Sequence, residues 1–312
     1  MSRPMTIRQH DDHVEIVPPP SAIAAFDPLV AQARRPVDTL PSVAEMRAGA
    51  IAFGRGPLAR SAGEGGRAED VDAAGLPSMW FHPPTASRGM VALYLHGGGY
   101  VCGSVAAQAG TAAAIAEALS MPLLALGYRQ APEHPYPQAG EDAWAGFRWL
   151  RARTDAPILL IGDSAGAYLA LATAARAARA GTPAIGAIAC SGWFDLAMRA
   201  ASWEANEARD IVSMAMGRMF IGHYLADQIS VPDGALLGDA ELALLPPTLI
   251  QVGGHEMALD DSFDIAARAR GLGREVALEV YAGMPHNFMK FAGPAGDCAV
   301  ARIGEWAARL SA

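Results

Sequence analysis

One lysine, Lys290, stands in a chain of 312 residues, and arginine carries nearly all the positive charge. That skew reads as the codon bias of a bacterial genome, not as a binding signal. Positive charge is also outnumbered. The net charge of −8 argues against nucleic acid or an anionic membrane surface as partner. Cysteine is scarce. Cys102, Cys190 and Cys298 have neither metal-ligand spacing nor a paired framework, so no metal centre and no disulfide scaffold is expected. Cys102, close after a run of glycines, reads as a small core residue. Long apolar runs are missing too. Those present are strand-length, or Ala-rich and interrupted by arginine, so no membrane span is expected. The first twenty residues are polar, with His10, Asp11, Asp12 and His13, and have no apolar stretch of the kind a secretion signal needs. A cytoplasmic protein is the expectation.

What the chain has is enough apolar surface for a large core, with 52% hydrophobic and 18% charged residues. From residue 68 onward the pattern alternates. Strand-like stretches at 69–73 and 78–82 suggest a hairpin. Buried apolar strands are expected at 89–95, 123–128, 157–161, 184–191, 248–252 and 275–281. Helical spacing fills the gaps at 111–119, 141–151, 168–180, 263–272 and 298–310. Alternating strands and helices mean an α/β fold with a mostly parallel sheet covered on both faces. Two regions break the rule. Residues 1–67 show no strand alternation and read as a helical arm, with helices at 21–33 and 42–53 separated by Pro36 and Pro41. Between 191 and 246 some fifty residues carry no convincing strand, which is long for a connection in such a fold. Met214, Met216, Met219, Phe220, Ile221 and Tyr224 lie there at helical spacing. The stripe reads first as a core-facing helix, with part of it free to line an apolar pocket.

Chemistry concentrates at Gly162-Asp163-Ser164-Ala165-Gly166, between the strand at 157–161 and the helix after it. Gly-x-Ser-x-Gly at a strand-to-helix turn is the signature of a nucleophile elbow, with the Ser164 hydroxyl exposed above the sheet. A serine nucleophile needs a histidine to take its proton and a carboxylate to hold that histidine. Of eight histidines, His286 alone follows the last strand, at the carboxyl end where open α/β sheets put their sites. The carboxylate is expected after the preceding strand, where Glu256, Asp260 and Asp261 all stand. Glu256 comes soonest after the strand end, and the two aspartates also suit a helix start, so Glu256 is favoured over Asp260. His96-Gly97-Gly98-Gly99-Tyr100 follows another strand end. Its glycines let backbone N–H groups approach a substrate and, with the N–H of Ala165, form an oxyanion hole. No Gly-Lys-Ser/Thr follows, which sets phosphate binding aside.

Together with Tyr128-Arg129-Gln130-Ala131-Pro132-Glu133-His134-Pro135, these motifs resemble the bacterial hormone-sensitive-lipase-like carboxylesterases of the α/β-hydrolase fold, over about residues 68–312. The resemblance implies an eight-stranded sheet with helices on both faces. It implies a helical cap built from the arm (1–67) and an insertion (194–240), over a catalytic domain of 68–193 and 241–312. It places the oxyanion donors on Gly98, Gly99 and Ala165, and the triad on Ser164, His286 and Glu256, although the family commonly has Asp at that last position. Tyr100, Met214 and Phe220 are expected at the substrate pocket. The implied reaction is hydrolysis of a small-molecule carboxylic ester through an acyl-enzyme, with no metal or cofactor. A homodimer is an expectation of the family only. Lactone or amide hydrolysis on the same fold is the alternative, and non-catalytic ligand binding a further one.

Overall fold

The structure, a computed structural model, describes residues 5–33, 40–61, 63, 65–86, 89–226, 230–232 and 235–311. Along the chain come β1 (Thr6–Gln9), β2 (Val14–Val17), α1 (Pro20–Ala24), α2 (Asp27–Ala33) and α3 (Val43–Gly54). The hairpin β3 (Arg67–Ala73) and β4 (Leu76–His82) follows, then β5 (Val91–Leu95), α4 (Ala109–Leu119), β6 (Leu123–Leu126), α5 (Gln138–Arg151), β7 (Ile158–Asp163) and α6 (Ala165–Arg179). The second half carries β8 (Gly186–Cys190), α7 (Ser202–Ala205), α8 (Met214–Leu225), α9 (Asp239–Leu242), β9 (Thr248–Gly253), α10 (Leu259–Gly271), β10 (Val276–Tyr281) and α11 (Pro294–Ala308). None of these helices is long and apolar enough to cross a membrane.

All ten strands join one sheet, in the order β1-β2-β10-β9-β8-β7-β5-β6-β4-β3. From β2 to β6 every neighbouring pair is parallel, and the outer pairs β1–β2, β6–β4 and β4–β3 are antiparallel. The eight strands implied by the family resemblance are β3 to β10, and β1 and β2 extend them to ten. These two correct the reading of the arm as strandless. β1 is exposed along its length, and in β2 only Ile16 is fully buried, so neither shows the alternation that marks a half-buried strand. β2 pairs parallel with β10, bringing Ile16 opposite Tyr281. The arm also holds α1, α2 and α3, as its helical spacing implies. Pro36, expected as a break between helices, lies outside the described residues.

Period-2 geometry sorts the strand side chains into two cores. In β5, Val91, Leu93 and Leu95 join the cluster packed against α5, α6 and α10, while Ala92 and Tyr94 join the one packed against α4 and α11. Both faces of the central strands are therefore dry, as their unbroken apolar runs require. α3 is started by a capping box, with Ser42 Oγ accepting from the Glu45 N–H and the Glu45 carboxylate accepting from the Ser42 N–H at 2.8 Å. Its Arg47 reaches the catalytic half of the molecule. The guanidinium donates to the carbonyls of Val101 and Ala131 and forks onto Glu133 at 2.7 and 2.8 Å.

If β2 is an integral part of this sheet, Ile16→Ala should lower unfolding stability by about 2–4 kcal/mol, because it empties a site closed by Tyr281 and its neighbours. Urea unfolding followed by circular dichroism checks this, and a midpoint equal to that of the wild type would count against it.

Candidate active site

The turn from β7 into α6 carries Ser164 at φ 53° and ψ −123°. A non-glycine residue pays for such a conformation in strain, and its surroundings must hold it. The Ser164 N–H donates to the Cys190 carbonyl at 2.9 Å, and the Ser164 carbonyl accepts from the Ala167 N–H at 3.0 Å. Gly162 explains the small residues on either side, since a Cβ there would run into the Gly166 carbonyl where strand and helix cross.

Two loops at the carboxyl ends of β9 and β10 bring up the rest. His286 Nε2 lies 2.9 Å from Ser164 Oγ, and His286 Nδ1 lies 3.0 Å from Glu256 Oε2. The other Glu256 oxygen accepts from Ser191 Oγ and from the Gly253 N–H, each at 2.6 Å. Glu256 is fully buried, so these bonds replace the water its oxygens have lost. Asp260 is occupied elsewhere, accepting from the Ser202 N–H at 2.9 Å. Asp261 faces Trp203 and the Asp195 N–H, and burial lifts its pKa to about 7. Of the three acids expected after β9, only Glu256 meets His286. Burial pushes the His286 pKa down, but the hydrogen bond to Glu256, that residue's charge and the Asp210 charge outweigh it, and the net shift is upward from 6.5.

The glycine loop is braced from below. Asp163 Oδ1 accepts from the Gly97 N–H at 3.0 Å and from the Tyr94 hydroxyl at 2.5 Å, and Asp163 Oδ2 pairs with the Lys290 ammonium. From the side, the Tyr128 hydroxyl donates to the His96 carbonyl at 2.6 Å with the two rings stacked 4.3 Å apart, and Gln130 Nε2 donates to the Cys102 carbonyl at 2.6 Å. The 128–135 motif is thus a buttress, and Arg47 locks its Glu133. Gly98 takes φ +129°, and a Cβ on it would overlap the Cys102 carbonyl. The N–H groups of Gly98 and Gly99 donate to nothing among the described residues. Ala165 is the first residue of α6, where helical N–H groups have no partner within the helix.

Above Ser164 lies a cavity of about 440 Å³. Gly98, Gly99, Ser164 and His286 form its floor, Phe53 of α3 closes one side, and Met216 and Phe220 of α8 another. Phe220 therefore lies where a pocket residue was expected, and the other two expected pocket residues do not. Tyr100, at φ 63°, turns inward and stacks on Tyr224 at 3.8 Å inside the core. Met214 sits at the start of α8, and Met216, two residues on, takes the cavity wall. Cys102, read as a core residue, also lines the cavity, because the tight turn at Gly98 folds the loop back on itself. Among the described residues no group of three or more His, Cys, Asp or Glu side chains could hold a metal ion.

Four residues of the site escaped the sequence reading: Ser191, Asp210, Lys290 and Arg47. The first two bind the acid and histidine loops from 47 to 96 positions away in the chain, and neither belongs to a motif. Lys290 had one available signal, its being the chain's sole lysine, and that was read as composition.

A family model described as the alpha/beta hydrolase fold matches residues 92–290. An acetyl-hydrolase of Streptomyces hygroscopicus is 39% identical over 221 residues, spanning 70% of this chain and 74% of that protein. An esterase of Acinetobacter venetianus is 34% identical, spanning 72% and 77%. Among solved structures, an esterase from the bacterial hormone-sensitive lipase family superposes with a TM-score of 0.83 at 32% identity, covering 94% of this chain and 99% of that one. The esterase EstE5, in a crystal soaked with p-nitrophenyl butyrate, superposes with a TM-score of 0.84 at 31% identity, covering 93% and 98%. The chain belongs to the α/β-hydrolase fold family, among its hormone-sensitive-lipase-like carboxylic ester hydrolases.

Proposed function

We propose that this enzyme hydrolyses short- to medium-chain carboxylic esters through a triad of Ser164, His286 and Glu256. The observation that carries the reading is the unbroken relay Ser164 Oγ–His286–Glu256, at 2.9 and 3.0 Å, on the floor of an apolar cavity. His286 Nε2 takes the Ser164 proton as Oγ attacks the ester carbonyl carbon. The carbonyl oxygen, now negative, accepts hydrogen bonds from the N–H groups of Gly98, Gly99 and Ala165. His286 then gives its proton to the departing alkoxide, so the alcohol leaves and an acyl-serine remains. Water, deprotonated by the same Nε2, attacks that acyl carbon, and the collapse returns the proton to Ser164 and releases the acid. Glu256 holds the ring in one orientation and stabilises the imidazolium formed twice in the cycle. Each oxyanion donor is typically worth ~10²–10³ in rate.

Supporting the substrate range, the cavity volume lies at the small end of ligand pockets, and its lining is mostly apolar. The relative that is an acetyl-hydrolase and the EstE5 crystal soaked with a butyrate ester point to short acyl groups as well. The arm and the 194–240 insertion act in this reading as a cap, with α3 and α8 forming the walls that fix chain length. β1 and β2 stand apart from that role, since they extend the sheet. A homodimer and a cytoplasmic location complete the proposal, and light scattering and cell fractionation test them.

Hydrolysis of p-nitrophenyl butyrate should collapse in Ser164→Ala. Glu256→Ala should lose ~10³–10⁴ in kcat/KM, by analogy with other triad acids. Asp260→Ala should stay within about tenfold of the wild type, because its partner is Ser202 rather than His286. Comparable losses in the two acid variants would refute the choice of Glu256. The base must be neutral to act, and its folded pKa is raised. The acid limb of the kcat/KM profile should therefore fall away with an apparent pKa above the 6.5 of free imidazole. A limb centred below 6.5 would mean that another group controls it.

A further inference from the structure

Asp210 lies in the insertion, between α7 and α8, and only 1% of it is exposed. Among the described residues no arginine or lysine forms an ion pair with it. Instead its carboxylate is spent on backbone. Oδ1 accepts from the His286 N–H at 2.7 Å and from the Ile211 N–H at 2.7 Å, and Oδ2 accepts from the Met257 N–H at 2.8 Å. Each oxygen therefore grips a different catalytic loop: one the residue that would act as base, the other the residue after the acid. Hydrogen bonds to a charged acceptor are among the stronger ones.

Neighbouring contacts run the same way without charge. Asn206 Nδ2 donates to the Glu256 carbonyl at 2.9 Å, and Ser202 Oγ donates to the Met257 carbonyl at 2.7 Å. Residues 202–210 thus stitch the insertion to the acid loop at three points, and Asp210 alone also reaches the histidine loop. The groups facing His286 are Glu256 at Nδ1, Asp210 at the backbone and Lys290 from the turn that follows. The two carboxylates favour the imidazolium, and Lys290 opposes it. Asp210 in turn faces His286 and Glu256, and burial lifts its own pKa to about 6.

We propose that Asp210 is a positioning residue for this hydrolysis: it sets the spacing of the Glu256 and His286 loops and adds a second negative charge behind the imidazolium. The proposal rests on the triad reading above. It makes the insertion part of the catalytic apparatus as well as a wall of the cavity. A one-ångström error in placing a catalytic group costs up to ~10² in rate, and that error would appear mainly in kcat, because Asp210 borders the cavity but its carboxylate oxygens are committed to backbone N–H groups.

The test compares wild type, Ser164→Ala, Asp210→Asn, Asp210→Ser and Asn206→Ala, with p-nitrophenyl butyrate as substrate and thermal melts to score folding. The expected result for Asp210→Asn is a loss in kcat of ~10–10² with KM within about threefold. Its acid limb should move to lower pH, because a charge that favours protonated His286 is gone. Asp210→Ser, smaller and neutral, should move the limb the same way and serves if the asparagine variant does not fold. Asn206→Ala removes one uncharged tie to the same loop, so its limb should stay where the wild type has it. A wild type without turnover, or an active Ser164→Ala, overturns the triad and with it this proposal. With the triad intact, an unmoved limb in both Asp210 variants overturns the Asp210 assignment alone. So does an equal shift in Asn206→Ala, or a rise in KM at constant kcat.

Discussion

Asp163, Glu256 and Asp210 lie buried in the layer around Ser164, and the need to replace the water they have lost organises the site. Taking an ionised group out of water costs several kcal/mol unless partners replace the water. Each of the three is answered differently. Asp163, at the elbow, meets Lys290, the Tyr94 hydroxyl and the Gly97 N–H. Glu256 meets Ser191, the Gly253 N–H and His286. Asp210 meets backbone N–H groups alone. The partners come from β5, from the loops after β5, β8, β9 and β10, and from the insertion. Satisfying these three groups thus ties the loops after β5, β8, β9 and β10 to one another and to the insertion.

The elbow and the glycine loop show how far a linear reading reaches. Ser164, His286 and the 96–100 run could be found because their chemistry needs small residues or a fixed place after a strand, and both constraints are local. In sequence Glu256 is separable from Asp260 by its distance from the strand end and by the aspartates' fit to a helix start, and the separation becomes physical in three dimensions, where Ser202 occupies Asp260. Ser191 and Asp210 had no local mark at all. A serine that ends a strand and an aspartate in an irregular loop look ordinary until β9 and β10 arrive beside them. β1 and β2 escaped for a different reason. Strand recognition by alternation depends on one buried face, and an edge hairpin with a single fully buried side chain offers almost none.

The 128–135 motif changes meaning between sequence and structure. As sequence it marked a family. As structure it is a brace, with Tyr128 on His96, Gln130 on the back of the glycine loop and Glu133 on Arg47 of α3. A backbone that offers N–H groups to an oxyanion must be rigid before substrate arrives, since reorganisation during the reaction would cancel the gain. Glycines work against that rigidity, because they give the chain more freedom to lose. The surrounding side chains supply what the glycines lack, so the motif and the loop are one device.

The insertion has two tasks that pull in opposite directions. Its α8 shapes the cavity through Met216 and Phe220, and a wall that varies with substrate should be free to change. Its segment 202–210 holds the acid and histidine loops, and that must not change. The structure separates the two only in part along the chain, since Trp203 and Asp210 of the stitching segment also line the cavity. The stitching residues Ser202, Asn206 and Asp210 precede α8, and Ser213 caps it with Oγ on the Met216 N–H, so α8 starts as a fresh element. The tasks also meet at Phe220, whose ring lies where a side chain on Gly99 would have to go. A larger or smaller residue at 220 therefore alters the space above an oxyanion donor as well as the pocket. In the proposed reading Met216 meets the cavity, whereas Phe220 meets both the cavity and the glycine loop, so a change at 216 reaches the pocket with less effect on that loop.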